Sequence, residues 1–217
     1  MRTMGELVRL DEHRLQRQIR KSPDAPRAKL FVDLADPFSY LAAERVERAF
    51  PTVTWRLASQ GALERSELAQ DPDRVAAVRA AAERRAAGLR LPLQWPDAFP
   101  GPVPAAMRAA AYAIEVGRGG PFIVAAGRLA FCGGFDLDDP EVLMEAAAAA
   151  GIALEDCLDA ARDPARDAPI EAAGRHLLAI GADRVPALRI GRALVWSESR
   201  ISAYLLTGAA MPATQRL

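Results

Sequence analysis

The chain is 217 residues long, and its 28 basic side chains are balanced by 28 acidic ones, so the net charge is near zero. That balance argues against a nucleic-acid footprint or an anionic membrane surface as the main partner. About half of the residues are apolar, as is ordinary for a soluble globule, and the length suits one large domain or a small domain carrying an insertion.

Residues 1–28 read as an extension. Leu7, Leu10, Leu15 and Ile19 make a weak apolar stripe, and Ser22-Pro23-Asp24-Ala25-Pro26 is a linker. A solvated arm and a dimer contact are equally open readings of it. Residues 30–34 form a short buried strand, and residues 37 to about 50 an amphipathic helix stopped by Pro51. Residues 53–57, rich in β-branched and aromatic side chains, form a second strand. A strand–helix–strand unit of this size is a right-handed parallel crossover. From 61 to about 168 the pattern is almost wholly helical. It contains a helix over 62–88 with Gly88 as its stop, a proline-rich loop over 91–104, and helices near 105–117, 122–131, 140–150 and 154–162. A short helix over 169–179 precedes two strands around a Gly191-Arg192 turn, an antiparallel hairpin whose first strand is opened by Pro186. The last helix starts near Ser197 or Ser199.

The two cysteines, Cys132 and Cys157, form no C-x-x-C pair and have no histidine close by, so a dithiol centre or a zinc site lacks its clustering. The ordinary reading is two buried thiols in a reducing cytosol. The first residues carry charges where a signal peptide needs an apolar core, and the most apolar run, 142–154, is interrupted by Glu145 and too short to span a bilayer. A cytoplasmic protein is expected. His13 and His176 are isolated and carry no assigned role, and no phosphate loop, dinucleotide fingerprint or metal motif is present.

The most informative stretch joins the first strand to its helix. Asp36-Pro37-Phe38-Ser39 places a favoured N-cap before a proline at the first helical position. A side chain there sits at the positive end of the helix dipole, where anions are held. The charge, the dipole and the cap all favour ionised Asp36, with a pKa below that of an ordinary aspartate.

This stretch resembles the DsbA-like thioredoxin superfamily, and within it the branch of 2-hydroxychromene-2-carboxylate isomerases and kappa-class glutathione transferases. Pro37, Phe38, Ser39, Tyr40, Leu41 and Ala42 match the motif of that branch, and Asp36 stands where the branch has a serine poised against the glutathione sulfur. The resemblance implies an α/β, thioredoxin-like fold with a large all-helical insertion. Its core would be residues 29–60 and 169–217, and its insertion 61–168, with the loop from Gly88 to Pro92 and Arg108 sitting where the branch has similar features. It also implies a cis Val185-Pro186 bond facing the helix N-terminus, a homodimer, and a small, aromatic substrate worked on with glutathione or another low-mass thiol. Asp36 and Ser39 become the catalytic candidates. Pro37, Phe38, Tyr40, Val185 and Pro186 become the ligand-binding ones, together with Glu198, Ser199 and Arg200, where Arg200 matches the branch, Ser199 departs from it and Glu198 stands next door as a substitute acid.

Two readings stay open at this stage. One is an isomerase- or transferase-like enzyme with modified thiol chemistry. The other is a catalytically diverged protein that binds a ligand or partner in the same groove. A dithiol oxidoreductase is excluded, because Asp36 and Ser39 occupy the places of its two cysteines. An ionised Asp36 would repel a thiolate about 4 Å away by roughly 1 kcal/mol in water and several times that near a protein surface. Weak or no glutathione-linked activity is then expected, with thiol binding improved by Asp36→Ser.

Overall fold

The computed structural model describes residues 28–50, 52–63 and 71–207. The extension over 1–27, Pro51, residues 64–70 of the expected 62–88 helix and residues 208–217 of the expected core lie outside them, while Ala62 and Leu63, expected in that helix, belong to a 3₁₀ turn and its end. The order is β1 (Ala28–Val32), α1 (Pro37–Ala49), β2 (Val53–Leu57), a 3₁₀ turn (Gln60–Ala62), α2 (Pro72–Leu89), α3 (Pro104–Glu115), α4 (Gly119–Phe131), α5 (Pro140–Ala150), α6 (Leu154–Arg162), α7 (Asp167–Ala179), β3 (Ala187–Ile190), β4 (Ala193–Trp196) and α8 (Glu198–Thr207).

The four strands form one mixed sheet in the order β2-β1-β3-β4. β1 pairs parallel with β2 and antiparallel with β3. As an inner strand, β1 is buried on both faces, and its alternation divides the core in two. Ala28, Leu30 and Val32 join the large cluster with Leu41, Val46 and the insertion helices. Phe31 points the other way, toward Leu63, Leu177 and Val185. The strand stops earlier than the expected 30–34 because Asp36 N–H turns back to the carbonyl of Asp33.

The insertion, α2 to α6, docks on the core through α4. Gly127 of α4 packs against the Tyr40 ring of α1, and Arg128 pairs with the buried Glu44 carboxylate at 2.5 Å. Arg108 of α3 forms a bidentate pair with Asp167 at the start of α7. The α2 helix runs past Gly88. Arg90 takes the left-handed conformation at φ 57° and closes the helix with its N–H on the Ala86 and Ala87 carbonyls. Closure falls there because Leu91 N–H also returns to the Ala86 carbonyl. Cys157 is buried, whereas Cys132 is only half-buried, at the end of α4. Among the described residues no helix is long and apolar enough to cross a membrane.

Candidate functional site

The β1–α1 junction is a knot of carboxylates and their donors. Asp36 has extended backbone (φ −97°, ψ 117°), and its side chain folds over the first turn of α1, as an N-cap does. Its Oδ1 accepts the Phe38 N–H at 3.2 Å, and its Oδ2 accepts the Ser39 N–H at 2.8 Å and the Ser39 hydroxyl at 2.7 Å. The Ser39 hydroxyl in turn accepts the Asp33 N–H at 3.2 Å.

Asp33 is the member of this group that the sequence pattern concealed. It is buried, and its carboxylate accepts the N–H groups of Ala35 at 2.9 Å and Gln60 at 2.8 Å, tying the end of β1 to the segment after β2. An aspartate at the end of an apolar strand, three residues before another at a helix cap, was the available signal.

The two carboxylates change the electrostatics that local sequence implied. Asp36 is only 4% exposed. Removal from water pushes its pKa up to about 7 and the negative charge of Asp33 adds to that, outweighing the Ser39 and backbone donors that pull it down. The expected depressed pKa is therefore overturned. Burial likewise raises Asp33, against the Gln60 and Ala35 N–H groups. At neutral pH Asp36 is divided between its acid and its anion.

The Val185-Pro186 segment completes this end of the sheet. Its peptide bond is cis, and both residues are buried. Carrying the Phe31–Ala187 register one and two steps further sets Pro186 beside Val32 and Val185 beside Asp33. The Pro186 carbonyl accepts the Ser197 N–H at 2.9 Å. On the other side of the junction Leu34 and Ala35 border a narrow apolar cleft of about 20 Å³, closed by Phe99, Phe131, Phe135 and Leu137 of the insertion.

The remaining candidates are drawn elsewhere. Phe38 is half-buried against the core. Tyr40 turns its ring onto Phe131 and its hydroxyl toward Cys132 Sγ at 3.0 Å and the Pro92 carbonyl at 3.2 Å, and burial and the neighbouring thiol hold that hydroxyl protonated. Glu198 is buried at the start of α8, with its carboxylate held by Arg85 of α2 and the Ser202 hydroxyl. It also acts on Arg45, nine residues beyond Asp36 and therefore about 13 Å further along the α1 axis. That carboxylate is committed to the interior and does not face the Asp36 end. Ser199 is exposed beside Ser197, and Arg200 stacks over Trp196 at 5.2 Å.

The profile of the DsbA-like thioredoxin domain matches residues 28–205, and the chain belongs to that family. Its fold is the thioredoxin-like α/β fold with a helical insertion. A 2-hydroxychromene-2-carboxylate isomerase is similar at TM-score 0.66 and 14% identity, over 81% of this chain and 91% of that one. A probable DsbA oxidoreductase from Streptomyces coelicolor is similar at TM-score 0.62 and 21% identity, over 88% and 94%. The cytosolic disulfide reductase DsbM from Pseudomonas aeruginosa, solved with GSH, is similar at TM-score 0.58 and 18% identity, over 83% and 93%. No curated protein matches the chain by sequence.

Proposed function

We propose that this chain is an isomerase-type enzyme that acts on a small aromatic substrate with a low-mass thiol such as glutathione, and that Asp36 carries the proton. The observation behind this reading is the Asp36 carboxyl at the positive end of α1, hydrogen-bonded to Ser39 and pushed up to about 7. A group poised near the working pH suits general acid–base catalysis. As an anion it accepts the thiol proton. Once neutral it no longer repels the thiolate, which stays in the positive field of the helix end. The sulfur then bonds to the electron-poor carbon of a conjugated alkene, and the alkene electron pair moves onto the substrate carbonyl oxygen. After rotation about the new single bond the pair returns, the sulfur leaves, and Asp36 gives it back its proton.

Ser39 is the positioning partner of Asp36, and Pro37, Val185 and Pro186 bound the sulfur. The cleft beside Leu34 and Ala35 is narrow, so a substrate ring enters by displacing Phe135, which is 51% exposed. With Glu198 spent on Arg85, the charged ends of the thiol fall to Arg200, Ser199 and the Val185 backbone. The isomerase likeness supports the reaction class, and the GSH carried by DsbM supports the thiol and a cytoplasmic setting. A second reading, a diverged ligand- or partner-binding protein, draws on one observation: both Asp36 oxygens are already met by the chain's own donors.

Titration with glutathione, followed through the amide resonances of Phe38 and Ser39, separates the two. The enzyme reading expects binding by wild type, by Asp36→Ser and by Asp36→Asn, with a pH dependence centred near 7 that Asp36→Asn loses. If none of the three responds, the low-mass-thiol site is absent and the second reading takes its place.

A further inference from the structure

The start of α4 is left open. Its N-cap, Arg118, makes no side-chain cap bond, and its first turn carries no acidic residue. Gly119 and Gly120 are buried residues, and among the described residues their N–H groups have no partner. Trp55 of β2 lies directly against this turn, since a Cβ placed on Gly120 would come within 2.7 Å of its Nε1. Trp55 is only 8% exposed, and its indole N–H donates to no described residue. All three donors border one cleft of about 450 Å³, which Thr54 and the exposed Arg56 also line.

Three donors without a described acceptor at one helix start, bordering a cleft beside a guanidinium, make a ready cradle for an oxyanion. We propose that this cleft binds a small phosphorylated metabolite, with its phosphate on the Gly119 and Gly120 N–H groups and the Trp55 indole, and with Arg56 closing over it. The volume falls within the range of small-molecule sites and exceeds what a bare phosphate needs, so the body of the ligand lies along Thr54. Glu47 is the carboxylate on the rim, and it selects against a second anionic group there.

The cleft runs along β2 from Thr52 to Arg56 and meets Glu47 and Phe50 at the C-terminal end of α1, whereas Asp33 and Asp36 lie past the end of β1 at the N-terminus of α1. The two sites share no lining residue, and this one stands whether or not the thiol reading holds.

The test is an amide and indole NMR titration of the full chain with inorganic phosphate, with phenyl phosphate and with benzoate. Phosphate is expected to move the Trp55 indole, Gly119 and Gly120 resonances together, with a single dissociation constant, and phenyl phosphate to bind more tightly. Arg56→Gln is expected to weaken phosphate about tenfold. Trp55→Phe, which keeps a ring and removes the donor, should weaken it by a similar factor, and Glu47→Gln should tighten it a few-fold. Because Arg56 and Glu47 are exposed, those two variants report even if Trp55→Phe fails to fold. The proposal is overturned if millimolar phosphate leaves the three resonances in place, if Arg56→Gln binds as wild type does, or if benzoate binds and the phosphates do not.

Discussion

Two helix starts in this chain meet the same physical problem in opposite ways. Both α1 and α4 run 13 residues, and each presents first-turn N–H groups that have no partner within the helix. At α1 the chain supplies its own anion: Asp36 covers the Phe38 and Ser39 N–H groups, and Ser39 reinforces it. At α4 the equivalent place is held by Arg118, and among the described residues the Gly119 and Gly120 N–H groups and the adjacent indole have no acceptor. A built-in anion turns the dipole inward, so the field acts on the protein's own carboxyl and on whatever exchanges a proton with it. An open helix start turns the same field outward, toward a ligand. The one end is suited to proton transfer and the other to binding, and the difference rests on a single capping position.

The strongest way to break the comparison is to neutralise the internal anion. Asp36 has a folded pKa of about 7 against 3.8 for an ordinary aspartate. Between those values Asp36 holds more proton in the folded chain than in the unfolded one, so its contribution to stability is fully present below about pH 4 and is lost as pH rises through 7. Asp33, raised in the same direction, adds to the trend. Asp36→Asn should flatten most of it, and the gap between wild type and variant should change by up to about 4 kcal/mol between pH 4 and pH 8. Urea denaturation across that range measures it. A gap between wild type and Asp36→Asn that stays flat, or moves in favour of wild type as pH rises, would show that Asp36 is an ordinary anionic cap.

That reversal also marks what could be read from sequence. The standing of the long run of helices as an insertion came from the family resemblance. The strand–helix–strand opening, the hairpin, the run of helices itself and the capping role of Asp36 follow from short-range chemistry, namely periodicity, proline placement and cap preference. The protonation of Asp36 does not, because it depends on burial by segments far along the chain and on Asp33, whose carboxylate is fixed by Gln60. Glu198 shows the same limit, since its place beside Ser199 and Arg200 gave no sign that Arg85, 113 residues away, would claim it. Nor could Trp55 and Gly120 be connected by any local pattern. Gly88 went the other way: a residue type that commonly ends helices lies inside one, because the turn closes two residues later.

Glu198 offers a third helix start and a sharper version of the contrast. Its carboxylate opens α8 but is spent on a cross-link from the insertion to the core, with a side chain 1% exposed against 32% for Arg85. Removing one partner of a buried pair costs about 3–5 kcal/mol. Because Arg85 can still reach water, about 1–3 kcal/mol is expected for Glu198→Gln, seen as a lower urea midpoint with an unchanged slope. A loss confined to activity, with stability intact, would move Glu198 back to the ligand-binding set.

The smallest expected effect comes from giving α4 the cap that α1 already has. Arg118→Asp places a carboxylate where it can reach the first-turn N–H groups and removes a positive charge from the positive end of the helix. Arg118 is exposed, so the change disturbs no packing. Its backbone, at φ −110° and ψ 12°, is less extended than that of Asp36, so capping geometry will be poorer and the gain modest, about 0.5 kcal/mol in urea denaturation. The same carboxylate would occupy the donors that the proposed phosphate uses, so stability should rise while phosphate binding at Gly119 and Gly120 falls. The two readouts must move in opposite directions. If the variant keeps its phosphate affinity, those N–H groups are not the anion's donors. If it also gains nothing in stability, the start of α4 is no open counterpart of the start of α1, and the contrast between the two helices loses its physical basis.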